Sequence, residues 1–384
     1  MPRPHAAALV EDALNRRLAS LLDRRGWAHR IQPFIGYGSP MFVRVLARVV
    51  LTRDTPSGDD PRESPGQSID EPVATPLFDA ERDNRGWRSF ITAPVVDVPV
   101  TVHVGDQRVR VRTDRSGLLD VTVRGHGLAP GWHALRIESP RAQPAQADVL
   151  VIGSTVTFGV VSDIDDTVLA TWLPRPSVAA WNTFVRTEDA RRAVPGMATF
   201  YREIRAANPQ APFFYLSTGA WNTMPQLARF MRRHGFPTGP MLLTDWGPTT
   251  TSWFRSGQQH KQGSLHRLAR DYPQITWLLV GDDGQHDPRL YADFARAKPS
   301  SVAAIAIREL TAGEQVLAHG LPVANDQLVP PPTEELTVPL VRAPDGYSLA
   351  RQLRALLDTV SKRRSPNAVT EVTGATGATG SGDV

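Results

Sequence analysis

Phe158-Gly-Val-Val-Ser-Asp-Ile-Asp-Asp-Thr167 is an apolar run that ends in three acids and a hydroxyl. Phe158 to Val161 read as a buried strand, and the acids come where it stops. Three carboxylates at the end of a buried strand repel one another and lose hydration, so folding alone does not select them and a cation is expected among them. In an open parallel sheet, ligands bind at the carboxyl ends of the strands, which puts Asp163 and Asp165 in a site rather than a core. In an extended chain the D-x-D-x-T spacing places both on one side, with Thr167 following. For an isolated D-x-D the alternative is an acidic turn that caps the next helix.

Outward from this stretch, apolar strands alternate with helical periods from Val149 onward, the pattern of an α/β domain with a parallel sheet. Strands are expected over 155–161, 212–216, 275–280 and 302–307, and helices over 197–207, 224–234 and 263–271. The second strand ends at Ser217-Thr-Gly219 and the third at Gly281-Asp-Asp-Gly-Gln-His-Asp287. Polar clusters thus recur at strand ends. Between the first strand and the first helix, Val168 to Val194 carries Trp172, Pro174, Pro176, Trp181 and Phe184, a small cap over the mouth of a site.

Upstream the period changes. Strands over 42–51, 95–104, 108–113, 118–124 and 132–138, separated by Gly105-Asp106, Arg115-Ser-Gly117 and Pro130-Gly131, predict a small antiparallel β-sandwich over 31–150. A mobile acidic loop is expected over 53–86, which is crowded with Pro, Asp, Glu, Gly and Ser. Asp97, His103, Asp106, Asp120, His126 and His133 are scattered here and read as solvated strand faces. Residues 1–30 form an amphipathic helix that docks on its own protein or on an anionic membrane. The α/β domain is expected over 151–328. A Pro-rich connector, a short basic helix and a disordered Gly-Ala-Thr tail then occupy 329–384.

The length of 384 residues suits two domains with tails. The absence of cysteine excludes structural disulfides and thiolate metal sites and fits a cytoplasmic protein, peripheral to a membrane if the helices dock there. A net charge of +4 points only weakly to anionic partners, and no nucleic acid is expected. Arginine-rich, Ala- and Pro-rich usage suggests a bacterial source. Lys261, Lys298 and Lys362 are the only lysines, so Lys261 beside His260 invites a point-charge role.

These residues can perform phosphoryl transfer. Asp163 can attack phosphorus to give an aspartyl-phosphate, and Asp165 can protonate the departing alkoxide and then deprotonate the hydrolytic water. Ser217 and neighbouring amides can hold a phosphate oxygen while Lys261 offsets its charge. Asp282 and Asp283, with Asp163 and the backbone carbonyl of Asp165, can complete an oxygen-rich magnesium shell. Asp287 either joins that shell or caps the helix beginning near Pro288. A histidine metal centre from His260, His266 and His286 is not expected. Trp172, Trp181, Trp221, Trp246 and Trp253 are many rings for loops, and they suit either loop packing or a lipid glycerol and acyl chain.

The ordered set Asp163-Ile-Asp-Asp-Thr167, Leu216-Ser-Thr-Gly219, His260-Lys-Gln-Gly-Ser-Leu265 and Gly281-Asp-Asp-Gly-Gln-His-Asp287 resembles the four motifs of the haloacid-dehalogenase superfamily. Trp181-Asn-Thr-Phe184, Pro195-Gly196, Ser217-Thr-Gly-Ala-Trp-Asn222, Leu243-Thr-Asp-Trp-Gly247 and Ile305-Ala-Ile-Arg308 are similar to the phosphatidate phosphatase family named after an actin-patch protein. The resemblance implies a Rossmann-like parallel sheet and magnesium-dependent removal of phosphate from phosphatidate. It assigns catalysis to Asp163, Asp165, Thr167, Ser217 and Lys261, and metal binding to Asp163, Asp165, Asp282, Asp283 and Asp287. Thr218, Gly219, Trp221, Asn222 and Arg255 would contact the substrate, and Asp245 its head group. Ser-Thr-Gly-Ala-Trp stands where the family pattern is Ser-Asn-Ser-Pro-Trp, a change in the substrate-facing turn. A soluble phosphomonoester, such as a nucleotide or sugar phosphate, is the alternative substrate, and a scaffold with a vestigial site is the non-enzymatic alternative.

Overall fold

Two hydrophobic patterns build two sheets in the computed structural model, which describes residues 26–53, 93–170, 192–244, 253–284, 286–319 and 336–364. The amino-terminal helix as far as residue 25, the acidic loop from 54 on, residues 171–191 of the cap, Asp245, Trp246 and the tail beyond 364 lie outside the described residues.

The first sheet contains β1 (Trp27–Ser39), β2 (Phe42–Arg53), β3 (Ala93–Pro94), β4 (Pro99–Val104), β5 (Gln107–Arg112), β6 (Leu118–Arg124), β7 (Gly131–Ser139) and β8 (Ala142–Val151). Alternation does its usual work here. Val43, Val45, Ala47, Val49 and Leu51 of β2 point into a private core with Val100, Val102, Leu135, Ile137, Val149 and Val151. The expected antiparallel sandwich is corrected on two counts. The strands form one hydrogen-bonded sheet in the order β3-β2-β1-β8-β7-β4-β5, with β6 also on β2, and β1 runs parallel to β8. The sequence reading passed over β1 and β8 because Pro33, Gly36, Gly38 and Pro144 interrupt their alternation. Those glycines are required by close approach, since a Cβ on Gly38 would lie 2.2 Å from the Phe42 carbonyl oxygen. The expected strand over 95–104 is broken at Asp97, which has a left-handed backbone (φ 59°).

The second sheet is built from β9 (Phe158–Asp163), β12 (Phe213–Ala220), β13 (Met241–Thr244), β14 (Thr276–Asp282), β15 (Val302–Arg308) and β16 (Leu340–Ala343). Its order is β13-β12-β9-β14-β15-β16, and every pairing is parallel. A two-stranded ladder, β10 (Leu169–Ala170) with β11 (Arg192–Ala193), stands apart. The helices are α1 (Met197–Ala207), α2 (Met224–Arg233), α3 (Trp253–Asp271), α4 (Asp287–Ala297), α5 (Ala312–His319) and α6 (Gly346–Arg364). Strands buried on both faces read as continuous apolar runs, and successive residues serve opposite cores. Val160 joins Phe200 and Tyr201 of α1, Leu227 of α2 and Leu349 of α6 on one face. Val161 joins Leu268 of α3 and Phe294 of α4 on the other.

The sheet does not stop at the Pro-rich connector. β16 pairs with β15, and Leu349 and Leu353 of α6 are buried in the core, so the first turns of the basic helix pack on this protein. The expected helix start at Gly263 is also corrected: α3 begins ten residues earlier, at Trp253, which puts Lys261 in mid-helix. The two sheets meet through Phe34, which stacks on Trp221 (centroids 4.7 Å apart, planes 19°), and through Tyr37, which sets its edge on Phe214 at 5.1 Å. Leu46 and Leu118 join the same contact.

Candidate active site

Strand order converts distant motifs into neighbours. The chain leaves β9, runs outward through β12 and β13, and crosses back to β14 on the other side of β9. A crevice opens at such a reversal, outside the carboxyl ends of the strands. Val280 of β14 lies opposite Ser162, so Asp163 and Asp282, the last residues of their strands, end side by side. Leu216 lies opposite Asp163, which sets Ser217 on the other flank. Lys261 enters from α3 and Asp287 from the first residue of α4. Asp287 can fold over the end of β14 because residue 281 is glycine: a Cβ there would lie 2.7 Å from Asp287 Oδ2.

Lys261 Nζ lies 2.6 Å from Asp163 Oδ1 and 2.7 Å from Asp287 Oδ1, and all three groups are buried. Asp287 therefore belongs to the charge cluster and does not serve as a helix cap. Thr167 Oγ1 sits 3.5 Å from Asp163 Oδ2 and 3.4 Å from Asp282 Oδ2, at the outer limit of hydrogen bonding. The Asp282 carboxylate also accepts the Gly284 amide at 2.8 Å. Beside this group, the Ser217 hydroxyl donates to Asp165 Oδ2 at 2.9 Å and accepts the Gly219 amide at 2.9 Å. Ser217 thus ties Asp165 to its own turn.

Burial pushes the Asp163 carboxyl well above its ordinary range, with Asp287, Asp165 and Asp282 adding to the effect and Lys261 opposing it. Burial also works against the Lys261 ammonium, but Asp163 and Asp287 outweigh it and raise its pKa. These tendencies pull apart. An ammonium within 2.7 Å of two carboxylates decides the matter in favour of a charged cluster. Oxygens of Asp163, Asp282 and Asp287 lie within 4.8 Å of one another. The second oxygen of Asp287 is buried with no hydrogen-bond donor. A hard divalent cation satisfies orphaned carboxylate oxygens of this kind, so the residues present fit one.

Asp163, Asp165, Thr167, Ser217, Lys261, Asp282 and Asp287 are all brought together and buried, as the motif spacing led one to expect. Two of the expected site residues lie apart from this group. Asp283 stands outside the triad: its Oδ1 accepts the Leu310 amide at 2.8 Å, and burial raises its pKa. Trp221 is buried against Phe34 in the joint between the sheets, because a ring on that turn gains more from apolar contact than from facing a site mouth. Thr218 is half-buried, Gly219 buried and Asn222 exposed on the same turn. Arg255 falls in the first turn of α3. Arg308 was missed as a site residue. It ends β15 as the acids end β9 and β14, it is buried, and its Nη1 donates to the Asp166 carbonyl at 2.7 Å. The available signal was a charged residue closing a buried strand.

With this geometry in place, comparison with known proteins is specific for one part of the chain. Residues 158–309 match the family described as "Phosphatidate phosphatase APP1, catalytic domain". This segment is similar to APP1 catalytic domains. The phosphatidate phosphatase APP1 of Saccharomyces cerevisiae is 26% identical over 152 residues, 39% of this chain and 26% of its own length. An uncharacterized protein of Schizosaccharomyces pombe is 24% identical over 154 residues, 40% of this chain and 25% of its own. The chain thus spans about a quarter of the length of these curated relatives. Among solved structures, a carbohydrate acetylesterase from Xanthomonas citri aligns over 77% of this chain and 72% of its own at 11% identity and a TM-score of 0.24, too loose a likeness to carry an argument. The matched segment runs from the first residue of β9 to one residue past β15, so it contains every member of the buried cluster. Among the described residues no helix is long and apolar enough to cross a membrane.

Proposed function

We propose that the chain is a magnesium-dependent phosphatase that hydrolyses phosphatidate to diacylglycerol through an aspartyl-phosphate on Asp163. The observation that carries this reading is the buried cluster of Asp163, Asp282, Asp287 and Lys261 at the ends of adjacent parallel strands, inside a segment of the APP1 catalytic family. Such a cluster is costly to bury and is retained where charge must be met by charge.

In this reading an oxygen of Asp163 attacks phosphorus in line with the ester oxygen, and Asp165 gives that oxygen a proton as the bond breaks. Asp165, now a carboxylate, takes a proton from the water that cleaves the acyl phosphate. Inorganic phosphate and free Asp163 result. Lys261 keeps Asp163 ionised and oriented, and Ser217 orients Asp165. Asp163, Asp282 and Asp287, with the Asp165 carbonyl, would hold the magnesium ion, whose contribution is to neutralise phosphate charge. We take 151–328, extended by 336–364, as a haloacid-dehalogenase-like unit, and 31–150 as its β-rich partner.

Burial of Trp221 favours a second reading, a soluble phosphomonoester, because it removes one ring from the lipid-facing surface. The deciding experiment measures phosphate release from phosphatidate in mixed micelles, with magnesium or EDTA, beside soluble nucleotide and sugar phosphates. Magnesium-dependent release from the lipid is expected. Release only from soluble esters sinks the lipid assignment, and no release from any ester sinks the enzyme.

A further inference from the structure

The turn that follows the proposed nucleophile is closed by its own backbone, the Asp166 amide donating to the Leu169 carbonyl at 2.8 Å and the Val168 and Leu169 amides to the Ile164 carbonyl at 2.9 and 3.1 Å. Asp166 has φ 58°, in the left-handed region that a residue with a Cβ enters at a cost. A second tie, on the carbonyl side of Asp166, comes from outside the motif. Arg308 Nη1 donates to the Asp166 carbonyl at 2.7 Å, its Nη2 donates to Glu314 Oε1 at 2.7 Å, and its Nε reaches the Pro344 carbonyl at 3.3 Å. Glu314 is itself fixed. Its other oxygen accepts the Thr311 amide at 2.8 Å and the Thr311 hydroxyl at 2.9 Å, while Thr311 Oγ1 accepts the Glu314 amide at 3.4 Å. That is a T-x-x-E capping box opening α5, with one carboxylate oxygen left for the guanidinium. The same stretch also grips the second acidic loop: the Arg308 carbonyl accepts the Asp283 amide at 3.0 Å, and Asp283 Oδ1 accepts the Leu310 amide.

We infer that Arg308, braced by Glu314, is a positioning residue that locks the Asp165–Thr167 turn in its left-handed form and so sets the spacing between Asp163, Asp165 and the Asp282 loop. A buried arginine suits the task better than lysine. Its planar fork turns three separate nitrogens toward three acceptors in fixed directions, whereas a lysine offers them a single nitrogen. The inference rests on the phosphatase reading for its kinetic consequence, but its consequence for cation binding does not.

The test uses the full chain with Arg308→Lys, which keeps the charge, and Glu314→Gln, which keeps a polar partner. Turnover of the best substrate is expected to fall about 100-fold in Arg308→Lys, the scale of a small misplacement of reacting groups, with KM within about threefold. Glu314→Gln is expected to show a smaller loss of the same kind. Without substrate, Mn2+ binding followed by electron paramagnetic resonance is expected to weaken about tenfold in Arg308→Lys, because the turn then samples other conformations. Asp166→Gly, which removes the steric cost of the left-handed form, is expected to restore several-fold turnover to Arg308→Lys. A folded Arg308→Lys with unchanged kcat and unchanged Mn2+ affinity overturns the inference. So does a loss that Asp166→Gly leaves untouched while Mn2+ affinity stays normal, since that is the behaviour of a merely structural pair. If Arg308→Lys does not fold, Glu314→Gln decides by the same readouts. If the unaltered protein hydrolyses no ester, the Mn2+ arm still tests the turn while the phosphatase reading fails by itself.

Discussion

Ion pairs on the two sheets can be set in opposite surroundings. On the eight-stranded sheet, Arg112 meets Asp97 at 2.5 Å and Arg136 meets Glu138 at 2.6 Å, with more than a third of each side chain in water. On the six-stranded sheet, Lys261 meets Asp163 and Asp287 with no more than 5% of any of those side chains exposed. The distances are alike and the energetics are not. Exposed pairs gain little, because water screens them and two long side chains lose freedom. Buried charges cost several kcal/mol each to desolvate, and an apolar replacement is often as stable. Four charged groups buried together are therefore unfavourable for folding alone, and they are the feature on which the proposed chemistry rests.

That contrast can be broken experimentally. Asp163→Asn should lower phosphate release at least about 1,000-fold, roughly 4 kcal/mol of barrier, without lowering Tm, because the amide removes a buried carboxylate. Comparison of initial rates with thermal melts checks both halves. Lys261→Met leaves Asp163 and Asp287 facing each other without their cation. A loss of about 3–5 kcal/mol is expected in urea unfolding with EDTA present, and added magnesium should recover much of it. An EDTA-treated variant as stable as its parent would show that the cluster carries no strain.

Phe34→Ala sharpens the comparison at the joint. It deletes a buried ring stacked on Trp221, so about 3 kcal/mol of stability should disappear, and the adjacent Ser217–Asn222 turn should loosen enough to raise KM. A change in stability with kinetics intact would make the first sheet a passive neighbour. Burial holds His260 below its ordinary value, partly offset by its bond to the Leu242 carbonyl, and the Lys261 ammonium adds to the depression. The unfolded chain therefore takes up this proton first as pH falls through about 6.5, and stability is lost in that direction. The Tm advantage of the parent over His260→Gln should shrink between pH 7.5 and 5.5. The smallest effect belongs to the exposed pairs: Arg112→Ala should leave Tm within about 2 °C.

Much of this was legible before folding. Asp163, Asp165, Ser217, Asp282 and Asp287 each close or follow a strand whose hydrophobic period is plain, Lys261 stands out as one of three lysines, and α1 matches its expected limits. The parts that escaped have identifiable causes. β1 hides behind Pro33 and two glycines that are there only because β2 passes so close. β16 is only four residues long and follows a Pro-rich stretch, too short to register as a strand until β15 lies beside it. Trp221 looked like a substrate ring because nothing in its neighbours announces that Phe34, nearly two hundred positions earlier, will cover it.

Residue types and local period by themselves determined that an acidic strand end existed, that a parallel sheet would present it, and that lysine at 261 was a special choice in an arginine-rich chain. Only the tertiary structure decided which acids share a cation and which turn away, that Asp283 belongs to Leu310 and Asp287 to Lys261, and that Arg308 supports the turn after Asp163. The reason is geometric. Spacing along a strand or helix says which side chains share a face, but convergence of strand ends depends on the order in which the sheet is assembled, and that order is set by packing over the whole core.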